Sequence, residues 1–190
     1  MDIPGGLHGM KYHFIIENKP VKLFESKEYD FIYWGCDKRK LIDNVESGDE
    51  RHIIFKKIRK ENKIKSYFIG KYASIQPDKK IDSMYNLLPL LTEGRSTLCF
   101  NWLDPTATTS RYHEAIACGI FPFVWKDYDV NNTIVADQWQ RVNTIEELYE
   151  KLPEVETRYP QILQHYNHNV LKPKSWYYEK FEQRMNELLK

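Results

Sequence analysis

The stretch Thr106–Asp129, TATTSRYHEAIACGIFPFVWKDYD, decides how the chain is read. It opens on a hydroxyl-rich loop (Thr106, Thr108, Thr109, Ser110) and turns into a short apolar helix carrying Arg111 and Glu114. It stops at Cys118-Gly119 and runs into an apolar, strand-like segment from Ile120 to Trp125. Loop, charged helix start, glycine stop and buried strand form the pattern of a ligand site in an open α/β sheet, where ligands meet the carboxyl ends of strands. Arg111 and Glu114 are three residues apart and share a helix face. At a helix N-terminus Arg111 can reach a phosphate, and Glu114 can accept ribose hydroxyls as carboxylates do in other nucleotide sites. The plain alternative is a surface Arg–Glu pair worth about a few tenths of a kcal/mol. Ala115, Ile116 and Ala117 argue for burial instead, and buried charges need partners or a ligand.

Outward from this stretch, apolar runs alternate with helical patterns. Tyr29–Trp34 is a β-rich apolar run ended by Gly35, and Asp49–Asn62 has a helical apolar face of Ile53, Ile54, Phe55 and Ile58. Ser66–Ile69 is the next expected strand, with Gly70-Lys71 behind it. A helix is expected over Ser83–Leu91 despite Pro89, then a strand over Ser96–Trp102, the helix Arg111–Cys118 and the strand Phe121–Trp125. Short elements are expected at Val135 and Val142, and a helix over Thr144–Leu152 with a Thr144/Glu147 capping box. Helices over Arg158–Asn169 and Lys174–Leu189 follow, separated by Pro173. Before Tyr29, a short strand is expected at Tyr12–Ile16, after a Gly- and Pro-containing start, MDIPGGLHG, that reads as a linker. Strands alternating with helices at this spacing give an α/β, Rossmann-like, doubly wound parallel sheet. The expected organisation is a linker or extension over 1–28, one nucleotide-binding domain over 29–152, and helices over 153–190 that pack on the domain or on a partner.

Composition narrows the class. The chain has 190 residues, 42% hydrophobic and 29% charged, with a formal charge of +1, so no global polyelectrolyte signal points to nucleic acid. Three scattered cysteines without metal spacing fit a reducing compartment. There is no signal-peptide pattern and no apolar run near the roughly 20 residues of a membrane span. The expected location is the cytoplasm, with no membrane partner.

Two further segments should converge on the focal stretch. After Trp34 come Gly35, Arg39 and Arg51. A glycine and two arginines in a strand-to-helix loop suit a diphosphate, because guanidinium offers a fixed fork of donors. A solvated basic loop is the other reading. After Ile69 come Gly70 and Lys71, over which a base or ribose can lie, or which form a plain loop. No GxGxxG follows a strand, and GxxxxGK[ST] and GxSxG are absent. His165 and His168 lack carboxylate or cysteine companions, so no metal site is expected. The run Lys56, Lys57, Arg59, Lys60, Lys63, Lys65 can contact nucleic-acid phosphates or be a solvated helix face.

With these residues in place, the chain resembles the donor-binding half of a GT-B glycosyltransferase. The carrying motifs are YWGCDKRK (Tyr33–Lys40), SGDER (Ser47–Arg51), YFIGK (Tyr67–Lys71) and SRYHEAIACGIFPFV (Ser110–Val124). The glycine-containing first loop with its arginines is most similar to bacteriophage enzymes that glycosylate modified DNA bases. The resemblance implies a nucleotide-sugar donor, a UDP-sugar, as substrate, with no further cofactor. It implies that Arg39 and Arg51 hold the diphosphate, Glu114 the ribose hydroxyls, and Thr108, Thr109, Ser110 and Arg111 the phosphate or sugar. Arg39, Arg51 and Arg111 then act catalytically by stabilising the leaving diphosphate. Many retaining members carry a second glutamate eight residues before the first; that position here is Thr106. The acceptor implied is modified DNA. The amino-terminal acceptor half is missing from this sequence; the expectations are a fragment, a split enzyme with a separate half or self-association as partner, or a donor-binding remnant. The alternatives are a non-catalytic nucleotide-sugar-binding module and a nucleic-acid interaction protein using the Lys56–Lys65 face.

Overall fold

The computed structural model describes residues 24–36, 50–72, 74–80, 84–101, 109–135 and 137–171. Five strands, β1 (Tyr29–Cys36), β2 (Ser66–Lys71), β3 (Gly94–Cys99), β4 (Phe121–Trp125) and β5 (Arg141–Val142), form one sheet in the order β2-β1-β3-β4-β5. Every pairing is parallel. The α-helices are α1 (Arg51–Glu61), α2 (Met84–Leu91), α3 (Ser110–Ala117), α4 (Ile145–Lys151) and α5 (Val155–His165).

Successive residues of a strand point to opposite faces, and β1 shows what each face carries. Phe31 and Tyr33 join Phe68 of β2 and Ile54, Phe55 and Ile58 of α1 in one core. Ile32 and Trp34 join Ile69, Leu87 and Leu91 of α2, and Ala115 and Cys118, in a second. Helices therefore cover both faces, as an all-parallel sheet requires. The first core is rich in rings: Phe55 lies 4.4 Å from Tyr33 and 5.2 Å from Phe68 between centroids. It extends to α5, where Tyr159 packs on Phe24 at 5.1 Å and donates to the Ile116 carbonyl at 2.9 Å.

Several boundaries differ from the sequence reading for physical reasons. β3 starts at Gly94 and ends at Cys99, rather than spanning Ser96–Trp102. Gly94 is needed there because a Cβ would lie 2.0 Å from the Ile32 side chain. Thr144 caps α4 by accepting from the Glu147 amide at 3.1 Å, but the Glu147 carboxylate accepts from the Asn143 amide, one residue earlier than a capping box requires. The helix expected from Arg158 begins at Val155, after a 3-10 turn over Leu152–Glu154, and ends in a π-helical turn at Tyr166–Leu171. Val135 belongs to no strand. The expected elements at Tyr12–Ile16 and Lys174–Leu189 lie outside the described residues.

Candidate functional site

β1 has β2 on one side and β3 on the other. The chain leaves β1 toward β2 and then returns to build β3, β4 and β5 outward on the other side. The carboxyl ends of β1 and β3 thus flank a topological switch point, where connections diverge and leave a crevice. α3 follows β3, and its first turn carries Arg111.

Arg111 reaches across to the end of β1. Its guanidinium donates to the Trp34 carbonyl and lies 4.2 Å from the Tyr33 ring centroid and 5.3 Å from that of Trp34. Among the described residues no carboxylate stands within ion-pair distance of it, and its Nε is buried without a hydrogen-bond partner. The intrahelical Arg111–Glu114 pair weighed as a plain alternative is not formed. Glu114 points elsewhere on the same strand end: it is 8% exposed and accepts from the Trp34 indole N–H at 2.5 Å.

Two glycines give the crevice its shape. Gly35 and Gly70 are partners in the β1–β2 register, with φ of +122° and +132°. These backbone conformations are open to glycine and rarely to other residues. A Cβ on Gly70 would lie 2.0 Å from the Gly35 carbonyl oxygen, and one on Gly35 would lie 2.8 Å from an Arg111 guanidinium nitrogen. The structure thus brings together Gly35, Gly70 and Arg111, with Glu114 behind them. Lys71 is exposed at the end of β2, opposite Cys36 in the register.

Thr109 occupies the N-cap position of α3 with extended backbone, and its side chain makes no capping bond. Its main chain is held from both sides: the amide donates to the Tyr128 hydroxyl at 3.0 Å, and that hydroxyl donates to the Thr109 carbonyl at 3.2 Å. Thr109 Oγ1, Asn101 Oδ1 and Arg111 Nε are each buried without a hydrogen-bond partner. Ser110 is exposed. Arg51 opens α1; the preceding Glu50 accepts from the Trp125 indole at 3.0 Å and from Lys126 at 3.1 Å, which sets this helix start at the carboxyl end of β4. Arg39, Thr106 and Thr108 lie outside the described residues.

The loop after β4 is tied by a buried carboxylate that the sequence reading did not single out. Asp129 accepts from the Thr133 amide at 2.8 Å and hydroxyl at 2.6 Å, and from the Ile134 and Val135 amides at 2.9 and 3.0 Å. Burial alone would raise its pKa; the hydrogen bonds from Thr133, Ile134 and Val135 outweigh this and hold it below the ordinary carboxylate value. The Arg141 guanidinium adds bonds to the carbonyls of Lys126 and Tyr128 at 3.0 and 2.6 Å. This knot fixes Tyr128, and through it Thr109. Tyr33, Trp34, Tyr128 and Asn101 likewise had no site role in the sequence reading: Tyr33 and Trp34 read as strand residues opening a motif, Asn101 as a strand residue, and Tyr128 lay unassigned in the focal stretch.

The basic run on and after α1 is largely neutralised locally. Lys57 pairs with Glu146, Arg59 with Asp78, Lys63 with Glu61 at 3.5 Å and Lys65 with Glu28 at 3.1 Å. A cation already facing a carboxylate offers little to a phosphate backbone, which weakens the nucleic-acid reading of that face. A groove of about 310 Å³ lies between Glu50, Ile53 and Lys57 of the α1 region, Trp125, and Thr144 and Glu146 at α4; it shares no lining residue with the Arg111 crevice. Among the described residues no group of three or more His, Cys, Asp or Glu could hold a metal ion, and no helix is long and apolar enough to cross a membrane.

No protein-family model matches the chain, and no curated protein matches it by sequence. A solved structure is similar in fold: T4 phage BGT, a β-glucosyltransferase, in complex with UDP and Mn2+. The two superpose with a TM-score of 0.63 at 15% sequence identity, over 93% of this chain and 53% of that one. The chain spans about half the length of that structure and has the α/β, Rossmann-like fold of a GT-B half-domain, as the sequence resemblance implied.

Proposed function

We propose that the chain binds a nucleotide-sugar, a UDP-sugar, as the donor half of a glycosyltransferase. The observation that carries this reading is Arg111: a cation at the switch-point crevice, seated on the Tyr33 ring and the Trp34 carbonyl, with no carboxylate in ion-pair contact among the described residues and Glu114 acting on it only at longer range. A guanidinium so placed is a ready partner for a diphosphate. The fold likeness to a structure containing UDP supports the same ligand class.

In the proposed reaction the bond between the sugar C1 and the diphosphate oxygen breaks, and its electron pair stays on the diphosphate. The acceptor oxygen bonds to C1 and gives up its proton to water. Arg111, joined by Arg39 and Arg51, stabilises the charge that grows on the leaving diphosphate, a preorganised electrostatic effect. Glu114 takes the ribose hydroxyls, Thr108, Thr109 and Ser110 line the phosphate or sugar, and Gly35, Gly70 and Lys71 border the nucleotide. Mn2+ accompanies UDP in the similar structure. The roles proposed here are those of the chain's own side chains. The phage origin of the similar fold makes modified DNA the first acceptor to test. We place the protein in the cytoplasm, that of the host if the gene is viral. We keep 29–152 as the nucleotide-binding domain, 1–28 as a linker and 153–190 as helices against it or a partner.

The test is a thermal shift with UDP-, GDP- and ADP-sugars. A ligand at about 100 times its Kd should stabilise by about 2.7 kcal/mol, or roughly 5–10 °C for a chain of this size. UDP-sugars should give that shift and Arg111→Gln should remove it. No shift with any nucleotide would overturn the donor-site reading.

A further inference from the structure

We infer that Trp34 is a positioning residue that sets both charged groups of α3 from one point of β1, and that through Glu114 it governs preference for ribose over 2′-deoxyribose. This rests on the donor-site reading above and assigns a new residue to that site. Trp34 engages the two groups by different parts of itself. Its main-chain carbonyl accepts from Arg111, while its indole N–H donates to Glu114 Oε2 at 2.5 Å. Trp34 is 4% exposed and Glu114 8%. The ring is wedged among Ile32, Ile69, Leu87 and Ala115, so the donor has little room to swing.

Any large apolar side chain could fill this space; only tryptophan brings an N–H to the buried carboxylate with a rigid bicyclic frame. A buried carboxylate with fewer donors turns toward whatever polar group it can reach. Removing the indole N–H should therefore misdirect Glu114 while leaving Arg111 in place, because an aromatic replacement keeps both the carbonyl of residue 34 and a ring face beside the guanidinium. Diphosphate binding and ribose recognition should come apart in that variant.

The experiment is titration calorimetry of UDP, 2′-deoxy-UDP and inorganic pyrophosphate with wild type, Trp34→Phe and Glu114→Ala. Wild type should bind UDP about tenfold or more tighter than 2′-deoxy-UDP, the loss expected for one hydrogen bond to a charged group. Trp34→Phe should cut that ratio to about threefold or less, as should Glu114→Ala, and the double variant should lose no further discrimination, the non-additivity of residues that act together. Pyrophosphate affinity should stay within about threefold in Trp34→Phe. If Trp34→Phe does not fold, benzothienylalanine at position 34 keeps the bicyclic shape and removes only the N–H, and the same ratios apply. Wild type that discriminates, with an N–H-less variant that discriminates equally, overturns the role of Trp34. Wild type that binds no UDP overturns the donor-site reading itself, and this inference with it.

Discussion

Replacing Asp129 should loosen the site from a distance. The carboxylate is fully buried and accepts four hydrogen bonds from Thr133, Ile134 and Val135. In Asp129→Ala the Ile134 and Val135 amides, on residues 6% and 4% exposed, lose their acceptor and have little access to water. An orphaned buried donor costs about 1–3 kcal/mol. Asp129 also has φ of +48°, which Asp and Asn tolerate better than Ala. Together these give about 3–4 kcal/mol for Asp129→Ala. Asp129→Asn should cost about half as much, since its oxygen can serve the two buried amides while its NH2 turns to the exposed Thr133. Urea unfolding with an unchanged m-value is the assay. The sign with pH follows from the depressed pKa. Stability from Asp129 is fully present above the ordinary carboxylate value and is lost as pH falls below it toward the folded-state pKa, so the gap between wild type and Asp129→Asn should close in acid. Because this loop holds Tyr128 against Thr109, UDP affinity should fall in Asp129→Ala although no ligand contact is removed. A stability change below about 0.5 kcal/mol, the size of an ordinary surface substitution, would refute the reasoning.

Other outcomes follow from the same geometry. Gly70→Ala should destabilise by about 3 kcal/mol or more in urea unfolding, because the new Cβ meets the Gly35 carbonyl backbone and φ is positive. Gly35→Ala meets a movable guanidinium as well as a positive φ, so UDP affinity measured by calorimetry should fall by about tenfold or more as Arg111 is displaced. Burial pushes the Cys99 thiol up to about 12, and both Cys99 and Cys118 are buried. In a Cys36→Ser background no thiol should react with a disulfide reagent at pH 8 until urea unfolds the chain.

The fold was legible because its signals are local. β1 reads from the apolar run Tyr29–Trp34, although the strand continues through Gly35 to Cys36; α1 reads from the spacing of Ile54, Phe55 and Ile58, although Ile53, expected on the same face, is exposed; and α3 reads from Cys118-Gly119 behind it. The start of β3 was hidden because Gly94 and Arg95 are poor strand formers, and Gly94 is dictated by Ile32 on a neighbouring strand. The site was legible in its charges and illegible in its wiring. Arg111 and Glu114 stand out on an apolar helix, but that both address Trp34, 77 and 80 residues away, depends on the register of β1 beside β3. Asp129 reads as one more acidic loop residue until the backbone turns four donors onto it.

The most direct measurement is calorimetric titration of UDP into wild type and Arg111→Gln at two salt concentrations. With two charge-assisted bonds to the diphosphate at about 1.5–3 kcal/mol each, Arg111→Gln should weaken UDP binding by about a hundredfold or more while the unfolding midpoint moves only a few degrees. Equal UDP affinity in the two proteins, or no binding by a folded wild type, would contradict a diphosphate site at Arg111.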